Sequence, residues 1–180
     1  MIDRIEIRIA GFGGQGIIKA GVLLGSALAK NGLYVVGIPS YGPASRGGRC
    51  KCDLVVSSQE IDYPLVTRPD VLIAMSQEAY DAYIEEVKEG GTVIYDPRLV
   101  HPELKKAINL HKIPATDEAE RLGNRIVANM VMLGAFAAIT RMLTVEMLED
   151  AVKDAFSGSI AELNLRALRR GFELASGQTN

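Results

Sequence analysis

The stretch Ala10-Gly11-Phe12-Gly13-Gly14-Gln15-Gly16 decides the fold, because it lies between the strand-like residues 5–9 and the helix-like residues 17–30. Its glycines have the spacing G-x-G-x-x-G, which allows a tight turn and close approach of a ligand to the main chain. Such a turn directs N–H groups and the positive end of a helix dipole at one point. The pattern predicts a phosphate site, although a strand-to-helix reversal without any ligand needs the same glycines.

A second glycine-rich segment follows the next predicted strand, residues 33–38. It reads Ser40-Tyr41-Gly42-Pro43-Ala44-Ser45-Arg46-Gly47-Gly48-Arg49. Two loops that each follow a strand should lie side by side at one edge of a sheet. Arg46 and Arg49 favour a phosphorylated or carboxylated ligand.

The rest of the chain alternates between strand and helix patterns. Residues 71–75 form an apolar run that predicts a central strand, and residues 92–95 and 108–113 predict two more. Residues 50–57 return directly from the second glycine loop, which predicts an antiparallel strand. We expect a single α/β domain over residues 1–180, a three-layer sandwich with a mostly parallel, mixed central sheet and a Rossmann-like glycine turn after the first strand.

Two regions have more than one interpretation. Residues 125–141 are apolar nearly all round, which predicts a helix in a core or at a subunit interface. Asn129 is polar within this segment and should have a hydrogen-bonding partner. Asp96 follows a predicted strand, where it can reach a ligand or simply open a turn.

Charge and hydropathy exclude several classes of partner. With 20 Lys and Arg against 22 Asp and Glu, the net charge of −2 gives no overall field for nucleic acid or anionic lipid. Residues 1–4 lack the apolar core of a signal peptide, and the most apolar run, residues 126–139, is too short to span a bilayer. We therefore expect a cytoplasmic protein with neither a nucleic-acid nor a membrane partner.

Residues that could carry chemistry are few. Cys50 and Cys52 are the only cysteines, too few for an iron–sulfur cluster or a structural zinc site, and their spacing suits one buried strand face better than a disulfide. His101 and His111 have no visible nucleophile or metal partner. No carboxylate follows the second strand, where a nicotinamide-binding fold would hold the ribose. The sequence predicts neither catalytic residues nor metal ligands.

Four segments together resemble the gamma subunit of 2-oxoacid:ferredoxin oxidoreductases. They are the stretch from Gly11 to Gly16, the stretch from Ser40 to Gly48, Ile61-Asp62-Tyr63-Pro64, and Asp70-Val71-Leu72-Ile73-Ala74-Met75. The resemblance covers residues 5–175, and the S-Y-G-P-x-x-R-G-G form is closer to the 2-oxoglutarate branch than to the pyruvate branch.

The family implies an oxidative decarboxylation in which a 2-oxoacid, coenzyme A and oxidised ferredoxin give acyl-CoA, carbon dioxide and reduced ferredoxin. Thiamine diphosphate and [4Fe-4S] clusters then lie on partner subunits of alpha, beta and delta type. In single-chain relatives the corresponding domain, domain III of pyruvate:ferredoxin oxidoreductase, contributes to coenzyme A binding. The resemblance thus implies these contacts to the coenzyme: Gly11, Gly13, Gly14, Gln15 and Gly16.

The same resemblance places the second loop near the acyl-transfer site or at the interface with the thiamine-binding subunits. Its candidate ligand-binding residues are Ser40, Tyr41, Arg46 and Gly47. The isolated chain should be inactive and could form a homodimer. Two other hypotheses stay open, a stand-alone nucleotide-binding oxidoreductase and a structural adaptor whose glycine loops make only protein contacts.

Overall fold

The computed structural model describes residues 3–42, 48–103 and 107–177. Six strands form one sheet in the order β2-β3-β1-β4-β5-β6. The strands are β1 (Ile5–Phe12), β2 (Tyr34–Tyr41), β3 (Arg49–Ser57), β4 (Val71–Ala74), β5 (Thr92–Tyr95) and β6 (Asn109–Lys112). Strand β3 is antiparallel to both its neighbours, whereas β1, β4, β5 and β6 pair in parallel. The predicted mixed, mostly parallel sheet is confirmed.

Helices cover both faces of the sheet unequally. They are α1 (Ile17–Lys30), α2 (Gln77–Tyr83), α3 (Ala115–Arg121), α4 (Ala128–Thr140), α5 (Val145–Ala155) and α6 (Gly158–Ser176), with short 3₁₀ turns at Ile84–Glu86 and Arg125–Val127. The larger core joins the sheet to α1, α3, α4, α5 and α6, and the smaller core lies under α2 on the other face. The three-layer α/β sandwich is therefore confirmed.

Helix α1 contains Gly21 and Gly25, which lower helix propensity and therefore predict close packing on another element, most simply the sheet. The helix packs closely against β3. A Cβ atom at Gly21 would lie 2.2 Å from the Cys52 sulfur, and one at Gly25 would lie 3.3 Å from a methyl group of Leu54. Cys50 and Cys52 are free thiols buried on this strand. The close packing of α1 on β3 fixes the position of the glycine turn, because that turn ends at Gly16, directly before α1.

The charged face of β1 is buried within the chain. The alternation of isoleucines with Glu6 and Arg8 predicts a strand with one face solvated or covered by a partner, but these two residues are 5% and 2% exposed. Arg8 donates both to Asp53 on β3, at 2.7 and 2.9 Å, and to Glu86. The chain itself therefore covers this face, because ion pairing makes burial of the charges tolerable.

Several boundaries differ from the sequence-based expectation, among them the end of β2, which lies at Tyr41 and not at Ile38. Strand β1 continues to Phe12, so Gly11 belongs to the strand and not to the turn. The predicted helix over residues 125–141 is a 3₁₀ turn followed by α4. The serines and glycine at residues 157–159 predict a break before a helix that begins at Ile160. Helix α6 begins instead at Gly158, which has a φ of 57°.

Helix α4 lies in the core, which decides between the two interpretations of its apolar surface. Eleven of its residues are buried, and it packs against α3, α5 and α6. In the described part of the chain no helix has both the length and the apolar character needed to cross a bilayer.

Candidate anion-binding site at the glycine turn

The glycine turn joins β1 to α1 through two left-handed residues. Gly14 has a φ of 106° and Gly16 a φ of 72°, so any other residue type would be strained at either position. Gly16 also directly precedes α1, and a Cβ atom there would lie 2.3 Å from the Asn129 amide nitrogen. Backbone geometry therefore requires glycine at Gly16, the last glycine of the G-x-G-x-x-G pattern, and at Gly14, which lies between its second and third glycines.

The turn leaves main-chain N–H groups free at the start of α1. Among the residues that the structure describes, the N–H groups of Gly14, Gly16, Ile17 and Ile18 have no hydrogen-bond acceptor. The first-turn N–H groups of a helix point along its axis, where the dipole favours negative charge. This end of α1 can therefore receive an anion without displacing an internal bond.

The Gln15 side chain is occupied within the turn. Its Oε1 accepts a hydrogen bond from the Phe12 N–H at 2.9 Å, and its Nε2 donates to the Met75 carbonyl at 2.6 Å. A Cβ atom on Gly11 would lie 2.3 Å from Gln15 Oε1, so Gly11 makes room for this side chain. These contacts tie the turn to the end of β4.

Helix α4 holds the turn from the other side. The Asn129 side chain donates from Nδ2 to the Gly16 carbonyl at 3.1 Å, which confirms that this polar residue has a hydrogen-bonding partner. Asn124 accepts from the Ile126 N–H and caps the 3₁₀ turn before α4. The glycine turn is thus fixed against both β4 and α4.

A pocket of about 360 Å³ opens beside the turn. Its lining residues are Phe12, Gly14, Gln15, Met75, Thr116, Arg125, Ile126 and Ala128. Arg125 is exposed and has no ion-pair partner in the described part of the chain, so its positive charge is uncompensated. A free cation beside free N–H groups suits a phosphate or carboxylate.

A second cavity of about 580 Å³ lies across Ile126 from this pocket. Gly16, Ile126 and Asn129 line it, together with Lys19 and Phe156. The Lys19 ammonium lies 4.8 Å from the centre of the Phe156 ring. Ile126, with 59% of its surface exposed, forms the ridge between the two cavities.

Asp96 orders the loop beside the pocket and does not face a ligand. It is fully buried and accepts hydrogen bonds from the Thr116 N–H at 2.7 Å, the Thr116 hydroxyl at 2.6 Å and the Arg98 N–H at 3.0 Å. A threonine followed by Asp117 and Glu118 predicts that Thr116 caps a helix, but Pro114 occupies the capping position of α3. The Thr116 hydroxyl instead fixes the residue to Asp96 at the wall of the pocket.

The last glycine of the second glycine-rich segment, Gly48, contacts the first turn. The Gly13 N–H donates to the Gly48 carbonyl at 3.0 Å, and the Arg49 guanidinium pairs with Glu78 at 3.2 Å. Ser40 and Tyr41 end the exposed edge strand β2 and are not among the described residues that line the pocket. Arg46 and Gly47 lie outside the described residues.

Sequence patterns did not identify three residues that complete the site. Thr116, Arg125 and Ile126 lie about a hundred residues after the glycine turn, in short segments without a recognisable motif. The one sequence feature that could have identified them is Arg125, a charged residue directly before the apolar residues 126–139. No group of three or more His, Cys, Asp or Glu side chains within the described ranges could hold a metal ion.

Comparison with known proteins decides the family. Residues 6–174 match the family described as pyruvate ferredoxin/flavodoxin oxidoreductase. The chain belongs to this family. Within it, the 2-oxoglutarate synthase subunit KorC of Methanothermobacter thermautotrophicus is 46% identical over 179 residues, which cover 95% of each chain.

Two solved structures of pyruvate ferredoxin/flavodoxin oxidoreductase relatives share the fold. The gamma subunit of a keto/oxoacid ferredoxin oxidoreductase from Geobacter sulfurreducens is 38% identical, with a TM-score of 0.88 and 97% of both chains covered. A 2-oxoglutarate:ferredoxin oxidoreductase from Magnetococcus marinus, solved with 2-oxoglutarate, coenzyme A and succinyl-CoA, is 27% identical, with a TM-score of 0.89. The match covers 98% of this chain and 32% of that one. The resemblance to gamma subunits is confirmed.

Proposed function

We propose that this chain is the gamma subunit of a 2-oxoglutarate:ferredoxin oxidoreductase and binds the phosphates of coenzyme A at its glycine turn. The observation that carries the proposal is the pair of free N–H groups at Gly14 and Gly16, of which Gly14 lines the same pocket as the uncompensated charge of Arg125. The coenzyme bound in the Magnetococcus relative and the identity with KorC support this choice of ligand and substrate.

The electrostatics of the site fit a polyanion better than a neutral ligand. Main-chain N–H groups at a helix N-terminus and a guanidinium group both stabilise phosphate oxygens. With a net charge of −2, the chain offers no general attraction for anions, so the attraction must be local. The glycine turn meets that requirement.

The two cavities around Ile126 suit a long ligand with both polar and apolar parts. The pocket of about 360 Å³ contains the glycine turn and Arg125, whereas the cavity of about 580 Å³ adds apolar surface from Phe156, Ile160 and Leu163. Coenzyme A combines phosphates with an extended, less polar arm. An extended ligand can therefore contact both cavities across the Ile126 ridge.

In the proposed reaction, 2-oxoglutarate loses carbon dioxide, its remaining acyl group forms a thioester with coenzyme A, and the released electrons reduce ferredoxin. Thiamine diphosphate and [4Fe-4S] clusters belong to the alpha, beta and delta partner subunits. The gamma subunit holds and orients the thiol carrier. The isolated chain is therefore inactive, and any homodimer it forms alone is inactive as well.

Arg125 gives the sharpest test in the assembled complex. Arg125→Gln should raise the KM for coenzyme A about tenfold, because a charge-assisted contact to phosphate is lost. The matched control, Arg166→Gln on the exposed face of α6, should leave that KM unchanged. With pantetheine, which lacks phosphates, the two variants should behave alike. An unchanged KM for coenzyme A in Arg125→Gln contradicts the proposal.

Gly14 separates coenzyme binding from a structural adaptor. A Cβ atom there meets no other atom within 4 Å, so a bulky side chain extends into open space beside the pocket. Gly14→Leu should permit assembly with the partner subunits and abolish coenzyme A turnover. Because a φ of 106° strains any side chain, failure of Gly14→Leu to assemble favours the adaptor only if Gly14→Ala, which carries the same strain without the bulk, does assemble. Tight NAD binding by the chain alone favours the stand-alone oxidoreductase.

The substrate requires a direct comparison. The purified complex should be assayed in parallel with 2-oxoglutarate, pyruvate and branched 2-oxoacids, with coenzyme A and ferredoxin held constant. We expect the largest kcat/KM with 2-oxoglutarate. A larger kcat/KM with another 2-oxoacid would contradict 2-oxoglutarate as the substrate but would not contradict the proposed coenzyme A site.

A further inference from the structure

We propose that Gln15 is a positioning residue that sets the direction of the glycine turn's free N–H groups toward coenzyme A. This inference rests on the proposed function. The sequence motif suggested instead that Gln15 contacts the coenzyme directly. Its place between Gly14 and Gly16, and the partners of its amide, point to the different role.

Both ends of the Gln15 amide are occupied by main-chain groups of this chain. Oε1 accepts from the Phe12 N–H at 2.9 Å, where β1 ends, and Nε2 donates to the Met75 carbonyl at 2.6 Å, where β4 ends. A neutral amide is the side chain that can accept at one end and donate at the other. Gln15 therefore links two neighbouring strand ends and does not need a ligand to complete its bonds.

Gly11 is shaped to this side chain. A Cβ atom on Gly11 would lie 2.3 Å from Gln15 Oε1, 2.8 Å from Ile17 Cδ1 and 3.2 Å from Met75 Cβ. Because Gly11 is in β1, it has no left-handed conformation that would require glycine. The first glycine of the motif thus makes room for the Gln15 bridge, whereas Gly14 and Gly16 satisfy the backbone.

The bridge controls the site through the main chain. Gln15 lies between Gly14 and Gly16, two of the residues whose N–H groups have no acceptor within the described ranges, and Asn129 holds the Gly16 carbonyl at 3.1 Å. Once the Gln15 side chain is fixed to Met75, the peptide planes on either side of it are fixed as well. Without the bridge, coenzyme A must order the turn on binding, which weakens its affinity.

Two variants of the assembled complex test the role. Gln15→Leu removes both hydrogen bonds and keeps an uncharged side chain. It should raise the KM for coenzyme A about tenfold, because the two hydrogen bonds that fix the turn are lost. Electron release from 2-oxoglutarate in a single turnover before coenzyme A is added should not change. Gln59→Leu, exposed at the opposite end of the sheet, is the matched control.

Gln15→Glu adds a readout that a merely structural role would not produce. A protonated carboxyl group can accept from Phe12 and donate to Met75 as the amide does, whereas a carboxylate can only accept. The ratio of the variant's KM for coenzyme A to the wild-type KM should therefore fall as the pH is lowered. Taking the ratio at each pH removes the titration of the coenzyme itself.

The outcomes distinguish this inference from the proposed function. If Arg125→Gln raises the KM for coenzyme A and Gln15→Leu does not, Gln15 has no positioning role. A Gln15→Leu variant that slows electron release and coenzyme A turnover equally also overturns the inference. If neither variant changes the KM for coenzyme A, the proposed site itself is wrong.

Discussion

Gly134 on α4 lies directly against the main-chain carbonyl of Leu168 on α6. A Cβ atom at Gly134 would lie 1.9 Å from the Leu168 oxygen, and one at Gly171 would lie 1.8 Å from the Val131 oxygen. The two helices therefore meet main chain to main chain at two successive contacts. Because Asn129 of α4 donates to the Gly16 carbonyl, the close packing of α4 on α6 also fixes the position of the glycine turn.

Gly134→Ala should destabilise the chain strongly. The new methyl group has no flexible neighbour to displace, since the atoms it meets are main-chain atoms, so the helices must separate. We expect a loss of about 3 kcal/mol or more in the free energy of unfolding, at the upper end for overpacked cores. Gly177→Ala, at the end of α6, meets no atom closer than 3.7 Å and should change little. Urea titration of both variants provides the measurement.

The buried ion pair between Arg8 and Asp53 predicts a second large effect. Asp53→Asn removes the main counter-charge of a guanidinium that is 2% exposed, whereas Glu86 remains close to it. We expect a loss of about 3 kcal/mol in the free energy of unfolding. Arg98→Met removes exposed pairs to Asp117 and Glu120 and should leave stability nearly unchanged. Similar effects in both variants would contradict this account.

Local patterns predicted the fold well because they depend on neighbouring residues. The alternation in β1 and the glycines before Ile17 identified the first strand and helix, and Gly21 and Gly25 predicted that this helix lies close to the sheet. The direct return after the second loop also predicted the reversed direction of β3. Each of these signals lies within one or two elements of the chain.

The site was only partly predictable because its remaining residues come from distant segments. Nothing in the pattern around Gln15 shows that Met75, sixty residues later, accepts its amide hydrogen. The contact between Asn129 and Gly16 and the presence of Arg125 depend on where α4 packs. The alternation at Arg8 likewise gives a face, but not the partner that covers it.

Glu6 predicts an acid-sensitive component of stability. Burial alone raises its pKa, but hydrogen bonds from the Arg68 and Thr67 N–H groups and from Arg4 outweigh burial and hold the pKa below its usual value. The unfolded chain therefore binds the proton more readily, and the contribution of Glu6 is lost as the pH falls below about 4. The stability difference between wild type and Glu6→Gln should shrink over that range.

The exposed Glu60 supplies the control for Glu6. Glu60→Gln should change the stability little, because the exposed Glu60 carboxyl group makes no hydrogen bond or ion pair with the residues that the structure describes. Thermal unfolding at a series of pH values measures both variants. A constant difference for Glu6→Gln as well would show that its hydrogen bonds do not favour the carboxylate.

The two thiols should resist alkylation in the folded chain. Burial raises the pKa of Cys52 to about 11, and burial also raises that of Cys50. Iodoacetamide at pH 8 should therefore label both only after unfolding, since the thiolate is the reactive form. As the folded chain keeps the Cys52 proton more tightly, stability should decline as the pH rises from about 9 toward 11. Rapid labelling of native Cys52 would contradict its burial.

Gly16→Ala should be more destabilising than a positive φ alone explains. Its φ of 72° strains any side chain, and its Cβ atom would also lie 2.3 Å from the Asn129 nitrogen. Gly32 is the matched control, because its φ is 81° and a Cβ atom there meets nothing within 4 Å. We expect Gly32→Ala to lose about 1 kcal/mol in the free energy of unfolding and Gly16→Ala to lose more.

A double-mutant cycle isolates the contact between Gly16 and Asn129. If the additional loss in Gly16→Ala comes from the collision with the amide, Asn129→Ala should recover part of it in the Gly16→Ala background, although it destabilises the wild type by removing a hydrogen bond. The strain from the positive φ should persist, so the double variant should resemble Gly32→Ala plus the lost hydrogen bond. Strictly additive losses of unfolding free energy would show that a Cβ atom at residue 16 does not collide with the Asn129 side chain of α4.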